Sequence, residues 1–499
     1  MSGANSQPST SGRGLNIAIE GCCHGDLDKI YTTLQHLEAK QRIKVDLLIC
    51  CGDFQAVRNL DDLECLACPP KYRELKSFYK YYTGQLEPPI PTLFIGGNHE
   101  AANHLWELYY GGWVAKKIFY MGHAGVINFG GARIGGLSGI YNGRHYRMGH
   151  YEHAPFDNDT MRSAYHIREL DVYRLKQLQQ PLDVFLSHDW PRGIAKHGNL
   201  QQLLARKAFL RSEIADNSLG SPPAEELLQL LRPRYWFSAH LHVKYAALYR
   251  HDSHANGHAT ETAFLALDKC LPGRAFLQVL QLPEADGPKE FSYDEEWLAV
   301  LRSTHSLMSL QRRPVPLPGM GALRTGPKEE DVQYVRQALE ARGGAQVPHN
   351  FVQTAPGYDG RARRGVMPRS NPCSPQTEAF LEMLGLPYNL DHGTNAQHGS
   401  SAASAGVSAA AAAAVNDEEV DIDGVGEDSG DSETELAADD VDINESAAAG
   451  REAQADESMF APVEMHNYDP TGASAHASVA GPPGLVPEAL ANALRQHPQ

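Results

Sequence analysis

The sequence lacks the long apolar segments of a membrane protein. Among its 499 residues, no hydrophobic run approaches the ~20 residues that a membrane-spanning helix needs. The amino-terminal segment, residues 1–14, is polar and has no apolar core of the kind found in signal peptides. Cysteines are few, eight in all, and four of them lie inside apolar runs, which argues against a disulfide framework. These absences predict a soluble protein of a reducing, intracellular compartment.

Basic residues are fewer than acidic ones, 44 against 61, so the formal net charge is −17. The excess of acid is local: residues 417–457 contain 17 acidic residues and one basic residue, Arg451, so the rest of the chain is close to neutral. A folded part with balanced charge can accept an anionic substrate, whereas a uniformly acidic surface would repel one. Composition therefore does not exclude nucleic acid as a substrate.

Three apolar runs in the first hundred residues each end in a short polar motif. The runs are residues 15–19, 45–51 and 91–95, and the last is followed by Gly96-Gly97-Asn98-His99-Glu100. A helical pattern follows the first run, and strands that alternate with helices predict a layered α/β fold. In such folds ligands collect beyond the carboxyl ends of the strands. We therefore expect the chemistry at these strand ends.

The rest of the chain predicts a mixed sheet, a second sheet and a smaller helical region. Gly-Gly pairs flank apolar runs between residues 126 and 137, which predicts hairpin-connected strands. Two late apolar runs, residues 263–267 and 275–282, are assigned to the second sheet. From residue 283 to about residue 390 the periodicity predicts mainly helices.

The two ends of the chain are predicted to be disordered. Residues 391–499 combine an alanine-rich stretch with the acidic run and have too few large apolar side chains to build a core. Residues 1–14 are assigned to the same class. We find no internal repeat.

Seven side chains at or near predicted strand ends carry atoms that bind metals. They are Cys22, His24, Asp53, Asn98, His188, His240 and His242. This set of sulfur, nitrogen and oxygen donors suits two divalent ions such as Zn²⁺, Fe²⁺ or Mn²⁺. Asp53 is the acid best placed to bridge two ions ~3.5 to 4 Å apart. His99 has no ligand role in this scheme and stands where it can donate a proton.

In this order the motifs resemble the signature of the calcineurin-like metallophosphoesterases, which reads Asp-x-His, Gly-Asp, Gly-Asn-His-Glu, His and Gly-His-x-His. The chain departs from it twice, because Cys22 replaces the first Asp and Ala239 replaces the Gly before the last two histidines. A cysteine at the first position resembles one branch of that superfamily, the RNA lariat debranching enzymes. The similarity to this branch covers about residues 15–310. It is carried by Gly21-Cys22-Cys23-His24-Gly25, Cys51-Gly52-Asp53-Phe54-Gln55-Ala56-Val57-Arg58-Asn59, Ser187-His188-Asp189-Trp190-Pro191 and Phe237-Ser238-Ala239-His240-Leu241-His242.

The resemblance implies a fold, a reaction and a compartment. The fold is a mixed β-sheet sandwich flanked by helices over residues 15–282, followed by a C-terminal debranching-enzyme region over residues 283–390. The reaction is hydrolysis of the 2′-5′ phosphodiester bond at the branch point of excised intron lariat RNA, in the nucleus. We expect a monomer that binds lariat RNA, no membrane, and contacts of the C-terminal region with spliceosome-associated proteins.

The resemblance also implies how the site is divided. One metal is held by Cys22, His24, Asp53 and His242, and the other by Asp53, Asn98, His188 and His240. A metal-bound hydroxide is the expected nucleophile, and His99, with Glu100 to orient its ring, is the expected general acid for the departing 2′-oxygen. A thiolate is a soft ligand that favours Zn²⁺ or Fe²⁺ over Mn²⁺. Because the cysteine site can be filled weakly or only under some conditions, one or two ions per chain are expected.

Residues 138–168 are rich in tyrosine, histidine and arginine, and the resemblance labels them a lariat-recognition loop. Arginines pair with phosphates, while aromatic and imidazole rings stack on splayed-out bases, which is how branched and single-stranded RNA is usually bound. The predicted RNA contacts are Tyr141, Arg144, His145, Tyr146, Arg147, His150, Arg162, Tyr165, His166 and Arg168.

Other functions stay open on sequence alone. The chain fits a metallophosphoesterase of another substrate class, such as a nuclease or a protein phosphatase, although the recognition loop argues against it. It also fits a scaffold that has lost its metals, although a donor at every ligand position argues against that. Arg361-Ala362-Arg363-Arg364 fits a nuclear-import patch or a solvated linker equally well.

Overall fold

The structure is a computed structural model that describes residues 14–252, 259–319 and 326–391. The segments predicted to be disordered lie outside the described residues, apart from residues 14 and 391 at their borders. In the described ranges no helix has both the length and the apolar character needed to cross a membrane.

The described residues contain thirteen strands and twelve α-helices. The strands are β1 (Leu15–Glu20), β2 (Leu47–Cys50), β3 (Thr92–Phe94), β4 (Gly112–Ala115), β5 (Ile118–Tyr120), β6 (Ala124–Phe129), β7 (Ala132–Leu137), β8 (Val184–Ser187), β9 (Tyr235–Ser238), β10 (Tyr245–Arg250), β11 (Glu261–Ala266), β12 (Leu277–Leu282) and β13 (Phe291–Tyr293). The helices are α1 (Leu27–Gln41), α2 (Leu60–Leu63), α3 (Phe78–Tyr82), α4 (Ala102–Glu107), α5 (Asn158–Ala164), α6 (Glu169–Lys176), α7 (Leu200–Arg206), α8 (Arg211–Asp216), α9 (Pro222–Leu231), α10 (Glu295–Thr304), α11 (Glu329–Ala341) and α12 (Pro375–Met383).

The strands form two mixed sheets, as the α/β prediction requires. The first has the order β12-β1-β2-β3-β5-β4, with β1, β2, β3 and β5 parallel. The second has the order β10-β11-β9-β8-β7-β6-β13, with β11, β9, β8 and β7 parallel. Parallel strands bring their carboxyl ends to one edge of each sheet, and the predicted polar motifs follow those ends.

The main core lies between the two sheets. Side chains on successive residues of a strand point to opposite faces, and the central strands bury both faces. In β1, Ile17 and Ile19 join the cluster that also contains Ile134 and Leu186 of the second sheet. Ala18 joins a separate cluster that includes buried residues of α1. The continuous apolar runs noted in the sequence thus result from burial on two sides.

One strand assignment from the sequence is wrong. The run over residues 275–282 was predicted to complete the second sheet, but β12 pairs antiparallel with β1 at the edge of the first sheet, with Leu15 opposite Leu282. An apolar run indicates that a strand is buried but carries no information on which open edge it will occupy. Only β11 of the two late runs joins the second sheet.

The region beyond residue 283 combines helices with extended chain. β13 adds to the second sheet beside β6, and α10 and α11 pack on each other. Residues 346–373, here called the C-terminal strap, contain no helix, and several of them contact the segment that follows β2. Thr354 of the strap accepts a hydrogen bond from the buried Arg58, and the backbone N–H of Tyr358 donates to the Arg58 carbonyl.

Candidate active site

The predicted ligands meet where the carboxyl ends of the two sheets face each other. Cys22 and His24 follow β1, Asp53 follows β2 and Asn98 follows β3. His188 follows β8, and His240 and His242 follow β9, so both sheets supply donors. Because each donor is one to four residues beyond its strand, short loops hold all seven in place.

Four of these side chains form one compact group. The ligand atoms of Cys22, His24, Asp53 and His242 all lie within 4.8 Å of one another. The Nε2 atoms of His24 and His242 are 3.3 Å apart, and His24 Nε2 is 3.8 Å from Asp53 Oδ2. One sulfur, two imidazole nitrogens and a carboxylate oxygen form a donor set that a borderline divalent ion prefers.

The remaining donors surround the other oxygen of the same carboxylate. Asp53 Oδ1 is 3.3 Å from His188 Nε2, which is in turn 3.1 Å from Asn98 Oδ1. The ring of His240 lies with its centroid 5.0 Å from that of His188. Asp53 therefore directs Oδ2 towards the first group and Oδ1 towards the second, which is the arrangement that a bridging carboxylate needs.

Hydrogen bonds outside the donor set orient two of the donors. His188 Nδ1 lies 2.8 Å from the carbonyl oxygen of Cys51, which can only accept, so Nδ1 carries a proton and Nε2 is the nitrogen that faces Asp53. The backbone N–H of His240 points at Cys22 Sγ over 3.2 Å. This contact stabilises negative charge on the sulfur and links the first and last ligand loops.

The charges of the site are coupled. Burial alone would raise the pKa of Asp53, but the adjacent His188 and His99 hold that pKa well below its usual range. Burial would likewise lower the pKa of His188, and the carboxylate of Asp53 raises it instead. Asp53 is therefore ionised inside the protein and carries the negative charge that a cation would neutralise.

The backbone of the site is strained in a consistent way. His24, Asp53, His240 and His242 all have φ between +45° and +64°, the left-handed region that residues other than glycine rarely adopt. Each such residue costs on the order of 1–3 kcal/mol, which the surrounding fold must offset. Strain of this kind is typical of functional sites, and nothing in the sequence indicates it.

Glycines allow the loops to approach each other. A Cβ on Gly97 would lie 2.2 Å from Asp53 Oδ1, and one on Gly52 would lie 2.3 Å from His188 Nδ1. Gly52 also has φ +108°. The Gly-Asp and Gly-Gly-Asn-His motifs therefore require glycine because a bulkier residue would displace the ligand beside it.

The Glu100 carboxylate binds the loop that carries Asp53. This carboxylate is expected from the sequence to orient the His99 ring; in the structure Oε1 accepts from the N–H groups of Phe54 and Gly97, and Oε2 accepts from that of Gln55. Burial and the nearby Asp53 charge raise the pKa of Glu100 to about 7, while the N–H groups of Gly97 and Phe54 oppose that rise. Glu100 thus braces the Asp53 loop.

His99 lies beside the donors without belonging to either group. Its ring centroid is 5.5 Å from that of His24, and its backbone N–H donates to Asp53 Oδ1 over 2.9 Å. The residue is buried, with 9% of its surface exposed. Gln55 stands within one of the sequence motifs but was given no role there, and its Nε2 lies 3.4 Å from His24 Nδ1.

The ten residues predicted to contact RNA separate by burial into an outer, an intermediate and an inner set. Arg144, Arg147 and Arg162 are exposed on the recognition loop. Tyr141, His145, Tyr146 and Tyr165 are half-buried. The inner set comprises His150, His166 and Arg168, whose side chains lie inside the protein and are therefore not placed to contact RNA in this conformation.

Arg168 and His150 of the inner set both bond to groups inside the protein. Arg168 donates to Glu152 Oε1, to the Ser163 carbonyl and to the His166 carbonyl, and it is fully buried. His150 pairs through Nε2 with Asp171 over 3.0 Å. A buried guanidinium with a paired carboxylate and two carbonyls holds the loop together, a role that composition alone cannot distinguish from phosphate binding.

Comparison with known proteins agrees with this geometry. Residues 15–244 match the family model "Calcineurin-like phosphoesterase", and residues 259–389 match "Lariat debranching enzyme, C-terminal domain". A lariat debranching enzyme of Arabidopsis thaliana is 53% identical over 76% of this chain and 88% of the relative. The chain belongs to the lariat debranching enzyme family.

Two animal members of the lariat debranching enzyme family support the same assignment. Lariat debranching enzyme A of Xenopus laevis is 50% identical over 74% of this chain and 70% of the relative. The lariat debranching enzyme of Homo sapiens is 50% identical over 74% of this chain and 69% of the relative. Calcineurin-like phosphoesterases use divalent metals, and the group around Asp53 has donors that suit them.

Proposed function

We propose that this chain hydrolyses the 2′-5′ phosphodiester bond at the branch point of excised intron lariat RNA and releases linear RNA. Membership of the debranching family supports the substrate. The observation that carries the chemistry is the placement of the Asp53 carboxylate between two sets of donors, one on each oxygen. A nuclear location follows as part of the proposal, because excised introns are the substrate.

The donors divide between two ions. Cys22, His24, Asp53 and His242 would hold one, and Asp53, Asn98, His188 and His240 would hold the other. Bound ions of this kind generate a nucleophile from water at neutral pH and neutralise charge on the phosphate oxygens. The Cys22 thiolate, stabilised by the N–H of His240, favours Zn²⁺ or Fe²⁺ over Mn²⁺ at the first position.

The chain itself supplies the proton that the leaving group needs. A 2′-alkoxide is a poor leaving group, and a positioned acid typically accelerates such a step by ~10²- to 10⁴-fold. His99 is assigned this role because its backbone is fixed to Asp53 and its ring lies beside His24 without sharing either donor set. The proton passes from a ring nitrogen of His99 to the departing 2′-oxygen.

The recognition loop selects branched RNA. Arg144, Arg147 and Arg162 project from it and can pair with phosphates, while Tyr141 and Tyr146 offer partly exposed rings for stacking. The buried ion pair between Arg168 and Glu152 stabilises the conformation of the loop.

The test is a comparison of three substrates with the metal-loaded protein. We expect hydrolysis of a branched RNA that carries a 2′-5′ linkage, at a rate far above that of a linear RNA of equal length or of a phosphoserine peptide. Faster cleavage of linear RNA would identify a general nuclease, and faster release of phosphate from the peptide would identify a protein phosphatase. Metal content measured on the same samples separates all three from a scaffold without metals.

A further inference from the structure

A surface outside the recognition loop combines an exposed aromatic ring with unpaired positive charge. Tyr72 is 44% exposed, and Lys71 Nζ lies 4.6 Å from the centre of its ring. Arg363 and Arg364 are exposed on the C-terminal strap, and neither forms an ion pair with any residue in the described part of the chain. We call Lys71, Tyr72, Arg363 and Arg364 the Tyr72 surface.

One acidic residue joins the two halves of this surface. Glu64 pairs with Arg73, the residue after Tyr72, over 3.3 Å. On its other side, a Cβ on Gly365, the residue after Arg364, would lie 3.1 Å from Glu64 Cγ. The segment around Tyr72 and Arg73 and the C-terminal strap therefore flank the Glu64 side chain, which brings Tyr72 and Arg364 to one region of the surface.

The backbone of the strap is held in place at Gly365 and Val366, directly after Arg363 and Arg364. A Cβ on Gly365 would lie 2.1 Å from the Leu60 carbonyl, and the N–H of Val366 donates to Asp61 Oδ1 over 2.8 Å. Asp359 pairs with Arg361 alone, at 3.7 Å. The arginine motif is thus neither a free linker nor neutralised by its neighbours.

The segment that follows Tyr72 also contacts the loop that carries the candidate ligand His24. The N–H and hydroxyl of Ser77 both donate to the carbonyl of Gly25, the residue after the candidate ligand His24. A Cβ on Gly25 would lie 2.8 Å from Lys76 Cβ. Residues 72–77 therefore run from the Tyr72 surface to a contact with the loop that carries His24.

We propose that the Tyr72 surface binds a single-stranded arm of the branched RNA, with one base stacked on Tyr72 and phosphates paired with Lys71, Arg363 and Arg364. Aromatic rings interleaved with cations are the usual means of binding single-stranded RNA without sequence preference. The inference rests on the proposed function, since it assigns a path to the arm of that substrate. A protein partner is the competing occupant, and the test below separates the two.

The test compares two branched RNAs with the same branch point, one with short arms and one with long arms. The quantity measured is the ratio of the two Kd values at several salt concentrations. Tyr72→Ala should weaken the binding of the long-armed RNA about tenfold relative to the short-armed RNA. Arg363→Ala/Arg364→Ala should do the same and lower the slope of log K against log salt by about 1.4, for two contacts to single-stranded phosphates.

Two controls are built into the chain. Tyr72→Phe keeps the ring and should keep the wild-type ratio. Lys44→Ala/Lys116→Ala removes two exposed positive charges that pair with Glu38 and Glu87 near the amino ends of β2 and β5, away from the site, and should also keep it.

The outcomes are distinct. Wild-type cleavage of the short-armed RNA tests the proposed function, whereas the ratio of Kd values tests the Tyr72 surface. An unchanged ratio in Tyr72→Ala and in the double arginine variant would overturn the inference, and a protein would then be the occupant to seek. Equal loss on both RNAs would overturn it as well, because it would show damage to the branch site rather than loss of an arm contact.

Discussion

His188 donates its Nδ1 proton to the carbonyl oxygen of Cys51 across 2.8 Å. The bond joins the loop after β8 in one sheet to the loop after β2 in the other, so it fixes a ligand and the distance between the sheets at the same point. Gly52, the next residue, makes this approach possible because it has no side chain to meet the imidazole ring.

Gly52→Ala should therefore damage the site beyond the ordinary cost of placing alanine at positive φ. That ordinary cost is about 1–3 kcal/mol. The new Cβ would in addition lie 2.3 Å from His188 Nδ1. We expect bound metal to fall by about half or more, measured by elemental analysis, together with activity. Gly84→Ala is the matched control, since Gly84 has φ +74° and nothing within 4 Å of its Cβ. Equal effects of the two substitutions would show that backbone strain alone is responsible.

Cys22→Asp should change which metal the protein prefers. The substitution installs the carboxylate that other calcineurin-like enzymes are expected to have at this position, and an oxygen donor suits Mn²⁺ better than a thiolate does. We expect the ratio of bound Zn²⁺ to bound Mn²⁺, after dialysis against both, to fall by about tenfold or more. Cys23→Ser, at the buried cysteine next to it, should leave this ratio unchanged. A ratio unaffected by Cys22→Asp would exclude Cys22 as a ligand.

The outer arginines of the recognition loop should control affinity for branched RNA. Replacing Arg144, Arg147 and Arg162 with alanine should weaken binding and lower its salt dependence, because each removes a cation that can pair with a phosphate. Hydrolysis of a small phosphodiester should change little. If the triple variant loses the same factor on both substrates, the loop belongs to the catalytic fold.

Arg168 should behave differently from these three. Arg168→Ala leaves Glu152 buried without its partner, which typically costs about 3–5 kcal/mol. We therefore expect a large loss of stability in a thermal or denaturant melt, whereas Arg162→Ala should leave the melt unchanged within about 0.5 kcal/mol. Similar melts for the two variants would refute the internal role of Arg168.

His99→Ala should slow turnover while the protein keeps its metal and its affinity for branched RNA. The loss should be ~10²- to 10⁴-fold for the natural 2′-oxygen leaving group. It should shrink sharply for a nitrophenyl phosphodiester, because nitrophenolate departs without a proton. If His99→Ala loses the same factor on both substrates, His99 orients the nucleophile and is not the general acid.

The sequence predicted the positions of the candidate metal ligands more completely than the packing around them. The apolar runs before Asp53 and Asn98 predicted strands, and a polar motif after each run placed the ligands at the strand ends where the structure has them. Order and spacing were sufficient here because parallel strands bring their carboxyl ends together whatever the details of packing.

Features that depend on contacts between distant parts of the chain could not be predicted from the sequence. The position of β12 at the edge of β1 and the crossing of the C-terminal strap over Arg58 join segments hundreds of residues apart. The burial of Arg168 depends on Glu152, and nothing in the sequence separates an arginine that holds a loop from one that meets a phosphate. The left-handed backbone at His24 and Asp53 is imposed by the fold and leaves no mark on residue type.

We propose that this chain hydrolyses the branch linkage by attack of water on phosphorus. The most direct measurement is mass spectrometry of the products after digestion of a branched RNA in ¹⁸O-labelled water. We expect ¹⁸O in the 5′-phosphate of the released strand and an unlabelled 2′-hydroxyl at the former branch point. Label in the 2′-hydroxyl, or labelled ends within the linear 3′-5′ backbone with the branch intact, would contradict it.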